Sequence, residues 1–311
     1  MLLAGAVLLT LMLVAGAVFG RGTRDVPTQT VILGSILVAA CLFYTMCYRV
    51  RPEDGVTVAR LIGAFALAAF ITTFIAGGVN TLIAHLAPSS GAVAIVGTTR
   101  IGLTSVLFVG PVEETLKALT VLAVGIRLPV KTFRSGLFVG GAVGLGFAAM
   151  ENTQYLAQVW EHPIYSLPSV GSLAIAAGLR SVITPLLHPI LTALIGGAIY
   201  GATRDGRYRF SIMVVGTWFA ALGIHSLWDT IPVGLQILRH RMPTLELGLL
   251  ALLGFGLILG VAIGLPFVWR AVARHANRLA GLDARGRTIP PAPPSVALED
   301  PPPPAAADRV P

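Results

Sequence analysis

Hydrophobic residues in this chain come in long unbroken blocks, and the polar residues fall mostly between them. Apolar runs at 2–20, 31–48, 61–84, 101–126, 135–160, 175–202, 211–238 and 246–269 each approach the ~20 residues that a helix needs to cross a bilayer. The pattern predicts an all-α, polytopic integral membrane protein with about eight transmembrane helices. The first run has no basic segment ahead of its apolar stretch, which a cleaved signal peptide ordinarily carries, so it is read as a retained span.

Composition supports this reading. Of 311 residues, 55% are hydrophobic and only 12% are charged, outside the range of soluble domains. The net charge of +8 does not mark a nucleic-acid binder, because its distribution follows the spans. Arg49, Arg51 and Arg60 lie between spans two and three; Arg127, Lys131 and Arg134 between four and five; Arg204, Arg207 and Arg209 between six and seven. Arg270, Arg274, Arg278, Arg285 and Arg287 follow span eight. The alternate loops hold fewer basic residues. Basic loops stay cytoplasmic, so both termini are expected inside. The excess of Arg over Lys and the abundance of Ala, Gly and Pro suggest a bacterial chain, hence a multi-pass protein of the bacterial plasma membrane. Cys41 and Cys47 form no disulfide or metal pattern.

Residues 1–270 read as one membrane domain and 271–311 as a cytoplasmic tail, basic at first and then Pro-rich ("TIPPAPPSVALEDPPPP") and disordered. The outer segment 85–100 is long and rather apolar, serving either as a connector or as a gate that dips into the membrane. Gly136, Gly140 and Gly144 form a stripe of small residues that lets another helix approach closely.

Polar groups inside the spans change the picture. Span four contains "PVEETLKAL", with Glu113, Glu114 and Lys117; span five contains Glu151 and Asn152; span six His188; span seven His225 and Asp229. Leaving the five charged groups unpaired would cost on the order of 12–18 kcal/mol. That exceeds ordinary net stability, so they must pair, hold a metal or line water. At 1.5 Å of rise per residue, all lie roughly 14–20 Å from the outer ends of their helices, in one slab of the membrane. His225 and Asp229 share a helix face, whereas Glu113 and Glu114 diverge by about 100°. One glutamate can therefore face a pocket while the other neutralises Lys117; Glu114–Lys117 is read as a structural ion pair. Pro185 and Pro189 flank His188 and are expected to break its helix. Arg180, near the outer end of span six, is expected to snorkel outward, and Asn152 to bond a neighbouring helix.

Carboxylates and histidines around a watery pocket suit hydrolysis, with a glutamate as general base and a histidine at an oxyanion or a metal. No HExxH helix and no GxSxG elbow is present.

Glu113-Glu114-Thr-Leu-Lys117, Phe147-Ala-Ala-Met-Glu151 followed by Asn152, a lone His188, and His225-Ser-Leu-Trp-Asp229 occur in this order on four successive spans. Over about residues 101–238 the chain resembles the PrsW family of intramembrane proteases, relatives of the CAAX prenyl endopeptidases and bacterial ABI proteins. The resemblance implies a membrane endopeptidase that cuts a membrane-anchored protein such as an anti-sigma factor. It implies Glu113 as the base that activates water and His225 as a holder of the oxyanion. Glu151 and His188 would complete the site as orienters or metal ligands. Glu114 and Asp229 belong to the same catalytic set. The related prenyl endopeptidases have Asn where Asp229 stands, and an ionised Asp cannot donate a hydrogen bond. Asp229 would then be protonated, orient His225 or bind a metal. A zinc site from His188, His225 and either Glu151 or Asp229 has acceptable ligand types. Two other readings use the same residues: a proton- or ion-coupled transporter, and a non-catalytic scaffold.

Overall fold

A computed structural model describes residues 56–87, 93–96, 99–161, 176, 180, 184–239, 241–283 and 286–288. The predicted spans 2–20 and 31–48 and the Pro-rich part of the tail lie outside the described residues. Seven α-helices appear among those described: α1 (Val58–Leu67), α2 (Thr73–Leu86), α3 (Leu103–Ile126), α4 (Phe133–Glu161), α5 (Thr184–Gly201), α6 (Ile212–Leu238) and α7 (Thr244–Leu279). A π-helical turn, Ala68–Thr72, joins α1 to α2 into one continuous rod. Val58–Leu86, α4 through Val159, α6 and α7 are each long and apolar enough to cross a membrane. The 24 residues of α3 would also reach across, at roughly 36 Å, although they carry the charged motif.

One element departs from the all-helical expectation. Within the 85–100 connection and the start of span four, β1 (Val93–Val96) and β2 (Thr99–Gly102) form an antiparallel hairpin with Val93 opposite Gly102 and Val96 opposite Thr99. β2 runs directly into α3, with Gly102 as the N-cap.

The opposite end of the bundle gathers the basic loops. Lys131 donates to the carbonyl of Gly206 at 3.4 Å, and the Tyr208 hydroxyl donates to the Leu122 carbonyl at 2.9 Å. Arg134 donates from Nε to Asn277 Oδ1 at 3.1 Å. The basic segment after span eight continues α7 to Leu279, and beyond it Leu282 bridges to Thr288. Three Arg-rich segments thus share one end, as the charge distribution predicts.

The centre of the molecule is the α4–α5 pair. A Cβ at Gly136 would run into the Gly196 carbonyl oxygen, one at Gly140 into that of Thr192, and one at Gly144 into that of His188. Glycine lets the two backbones touch, which is how helices gain contact energy where no water drives them together. Gly110 does the same between α3 and α6, where a Cβ would lie 2.5 Å from Ser226 Oγ. The buried core, including Leu61, Ala64, Val121, Val139, Val143, Leu187, Leu191 and Ile195, packs around these contacts. Pro185 falls in the first turn of α5, where its missing N–H costs nothing, so only Pro189 interrupts the helix ladder.

Candidate active site

All the ionisable groups singled out in the sequence converge in one buried cluster. The close approach of α4 and α5 at Gly144 brings Glu151 Oε2 to 2.8 Å from His188 Nε2. The approach of α3 and α6 at Gly110 brings Glu114 Oε1 to 2.8 Å from His225 Nδ1. The two imidazoles then meet edge to face, centroids 4.9 Å apart. Each histidine is delivered by a helix pair whose contact is set by a glycine one or two turns away or directly opposite.

Lys117 ties the halves together. Its Nζ lies 2.7 Å from Glu114 Oε1, 2.9 Å from His188 Nδ1 and 3.9 Å from Glu113 Oε2, with the Phe147 ring at 4.2 Å. Lys117 and Glu114 are wholly buried, so their charges depend on one another. The expected Glu114–Lys117 pair is present in the geometry, and Glu114 Oε1 serves His225 as well. Glu114 therefore stands behind His225 and orients it, besides neutralising Lys117.

Tautomer logic separates the histidines. An ionised carboxylate only accepts and an ammonium only donates. Glu114 therefore receives Nδ1–H from His225, leaving His225 Nε2 turned toward Glu113 Oε2 at 3.5 Å and Asp229 Oδ2 at 3.4 Å. Lys117 donates to His188 Nδ1, so His188 carries its proton on Nε2 and offers it to Glu151.

Arg180 does not snorkel. It turns inward to Glu151 Oε1 at 3.3 Å and Asn152 Oδ1 at 3.1 Å, over the Tyr155 ring at 3.7 Å. An inward acid and a flat aromatic offer the guanidinium more than a lipid headgroup would. Asn152 returns a bond to the Arg180 carbonyl at 3.3 Å, the inter-helix role expected of it. A further residue was missed. Asn80, on α2, donates from Nδ2 to Glu113 Oε1 at 3.2 Å. Its signal was present, since an amide inside an apolar run is itself an intramembrane polar group.

Glu113 Oε2, Glu151 Oε2 and Asp229 Oδ2 are buried without a well-formed hydrogen bond. Donor atoms of Glu113, His188 and His225 lie within 4.8 Å of one another, a set of N and O donors that suits zinc. The carboxylate in this candidate triad is Glu113, whereas the sequence points to Glu151 or Asp229. His225 has the surroundings of a metal-bound imidazole, with a carboxylate on the nitrogen away from the pocket. His188 has a lysine ammonium there instead, and holding a cation at its Nε2 would require the proton shared with Glu151 to leave. The residues thus fit a metal by type and spacing, with His225 and Glu113 its readiest ligands.

The family model described as PrsW family intramembrane metalloprotease matches residues 57–258. The match begins well before residue 101 and so includes the helix that carries Asn80. Comparison with curated proteins and with solved structures gave no match.

Proposed function

The chain belongs to the PrsW family of intramembrane metalloproteases, and from that premise we propose that Glu113 is the general base with which it hydrolyses a peptide bond of a membrane-anchored protein. Membership makes it a membrane peptidase; the roles of its residues follow from their chemistry. The observation that carries the reading is Glu113 itself. One carboxylate oxygen is held by Asn80 and the other makes no hydrogen bond, 3.5 Å from His225 Nε2 inside the bundle.

In this reading Glu113 takes a proton from water as the water oxygen bonds to the scissile carbonyl carbon. The developing oxyanion receives Nε2–H from His225 in its imidazolium form, with Nδ1–H kept on Glu114 and Asp229 beside Nε2, while His188, held between Lys117 and Glu151, fixes the opposite wall of the site. Donors fixed before the reaction act strongly in a site removed from bulk water. The carboxylic acid of Glu113 then returns its proton to the departing amine nitrogen as the C–N bond breaks. In the alternative with a divalent cation, zinc by ligand type, Glu113, His188 and His225 would hold it, and Lewis-acid polarisation of the carbonyl would take the place of imidazole N–H donation. The substrate class is a single-span or membrane-proximal protein, with an anti-sigma factor as the member suggested by analogy. The setting is a bacterial plasma membrane with the Arg-rich end of the bundle in the cytoplasm.

The test is reconstitution in lipid vesicles with single-span substrate proteins. Glu113→Gln should lower the cleavage rate by about 10³-fold at an unchanged unfolding temperature. Cleavage retained in that variant would remove Glu113 from the base role. A chelator that abolishes wild-type cleavage, with zinc restoring it, would assign the triad to a metal; indifference to chelation would leave hydrolysis to the glutamate alone.

A further inference from the structure

We propose that Asn80 is a positioning residue for hydrolysis: its carboxamide holds Glu113 with the N–H end and the attacking water with the carbonyl end. The proposal rests on the reading of Glu113 as base.

Three observations carry it. The bond has a fixed sense. Glu113 Oε1 only accepts, so the amide nitrogen of Asn80 must face it, and the 3.2 Å contact turns Asn80 Oδ1 away from the carboxylate. Asn80 Oδ1 is itself buried and makes no hydrogen bond. A buried carbonyl of this kind wants a donor, and in a hydrolase pocket water is a donor at hand. One proton of that water would lie on Glu113 and the other on Asn80 Oδ1. The oxygen lone pair is then left for the carbonyl carbon, an alignment that general-base catalysis requires.

The helix that bears Asn80 is built to aim it. The inward residues of this rod, Ala64, Ala68, Thr72 and Ala76, recur every fourth position, and Asn80 is the next in the series. Such a stripe drifts by about 40° per step around a helix of 3.6 residues per turn. The π turn Ala68–Thr72 takes up the drift. The Thr72 and Thr73 hydroxyls reach the carbonyls five residues back, those of Leu67 and Ala68. Turns of this type are rare and gather at functional sites. Thr72 also meets Thr120 of α3, Oγ1 to Oγ1 at 2.7 Å. The α1–π–α2 rod is therefore fastened to α3 at two heights, at Thr72–Thr120 and at Asn80–Glu113, and the second lies inside the buried ionisable cluster.

The experiment uses the full chain in native membranes. Cleavage sites that depend on wild-type protein are first mapped by their new N-termini, and peptides spanning them serve as the kinetic probe in vesicles. Asn80→Leu should lower kcat by about 10- to 100-fold, with KM within twofold of wild type and an unchanged unfolding temperature. Asn80→Asp, isosteric but lacking the donor, should be impaired as much. Asn80→Gln, which keeps the carboxamide, should recover part of the rate. In the Glu113→Gln background, Asn80→Leu should have no further effect. Wild-type kcat in Asn80→Leu and Asn80→Asp would overturn the proposal and leave Glu113 as base. A purely structural role, with kcat following the unfolding temperature in all three variants, would overturn it too. Cleavage unaffected by Glu113→Gln alone would overturn both readings, and that result is recognisable because no Asn80 variant is needed to see it.

Discussion

The α4–α5 pair and helix α6 each bring candidate catalytic groups to the same buried cluster, yet they are held in different ways. Of the most apolar 18 residues of α4, 89% are buried inside the protein; of α6, 11% are. α4 is surrounded by protein and clamped to α5 through glycine backbones. α6 turns most of its surface outward and reaches inward mainly at Ala221 and His225. Glu151 and His188 are therefore positioned by shape. His225 and Asp229 are positioned by polar bonds, chiefly His225 to Glu114 at 2.8 Å. In a membrane this division is reasonable. Lipid tails give helices no reason to associate, so they are joined either by close backbone packing or by hydrogen bonds. The half built by packing forms a scaffold. The half built by charges draws its cohesion from the same groups that form the candidate site.

The largest effect should come from Lys117, which belongs to both halves. Lys117→Met leaves Glu114 buried without its cation and should cost about 3–5 kcal/mol, read as the loss of a cooperative unfolding transition in detergent. Adding Glu114→Gln to it should recover part of the loss. Stability unchanged in Lys117→Met would show that the charged cluster does not hold α6.

Next in size is the backbone contact of the scaffold. Gly140→Ala places a methyl against the Thr192 backbone and should cost about 1–3 kcal/mol through forced separation of α4 and α5. It should weaken hydrolysis as well, since Glu151 and His188 part with the helices. Thermal unfolding and cleavage rate, measured on the same preparation, check both.

The smallest effect is the matching control. Gly223→Ala adds the same methyl on α6 where nothing lies within 4 Å. It should change stability by no more than about 0.5 kcal/mol. Equal costs for the two alanines would erase the distinction between a packed half and a polar half.

Much of the candidate site was legible because membranes penalise charge. Glu113, Glu114, Lys117, Glu151, His188, His225 and Asp229 stood out against apolar runs, and helical rise placed them at one depth. The stripe Gly136–Gly140–Gly144 announced a close helix contact, and α5 is its partner. The hairpin at 93–102 was hidden because a short apolar segment such as "VAIVGTTRIG" carries no period that separates strand from buried helix. Arg180 was read from its position near a helix end, which suggests a headgroup partner. Its true partners, Glu151, Asn152 and Tyr155, lie far along the chain. Asn80 escaped because it bears no charge, and because one residue of π turn, invisible to a pattern of 3.6, sets the face on which it stands. The choice of carboxylate for a candidate metal triad needed three dimensions, since Glu113, Glu151 and Asp229 are all within reach of histidines by depth alone.

If α3, α4, α5 and α6 make one hydrolytic site with Glu113 as its base, new protein N-termini mapped by mass spectrometry will differ between membranes from cells producing wild-type protein and those producing Glu113→Gln at matched levels. A set of cleavage sites in or next to membrane spans should appear only with the wild type. An identical set of N-termini in both membranes, with both proteins folded and present, would contradict that assignment.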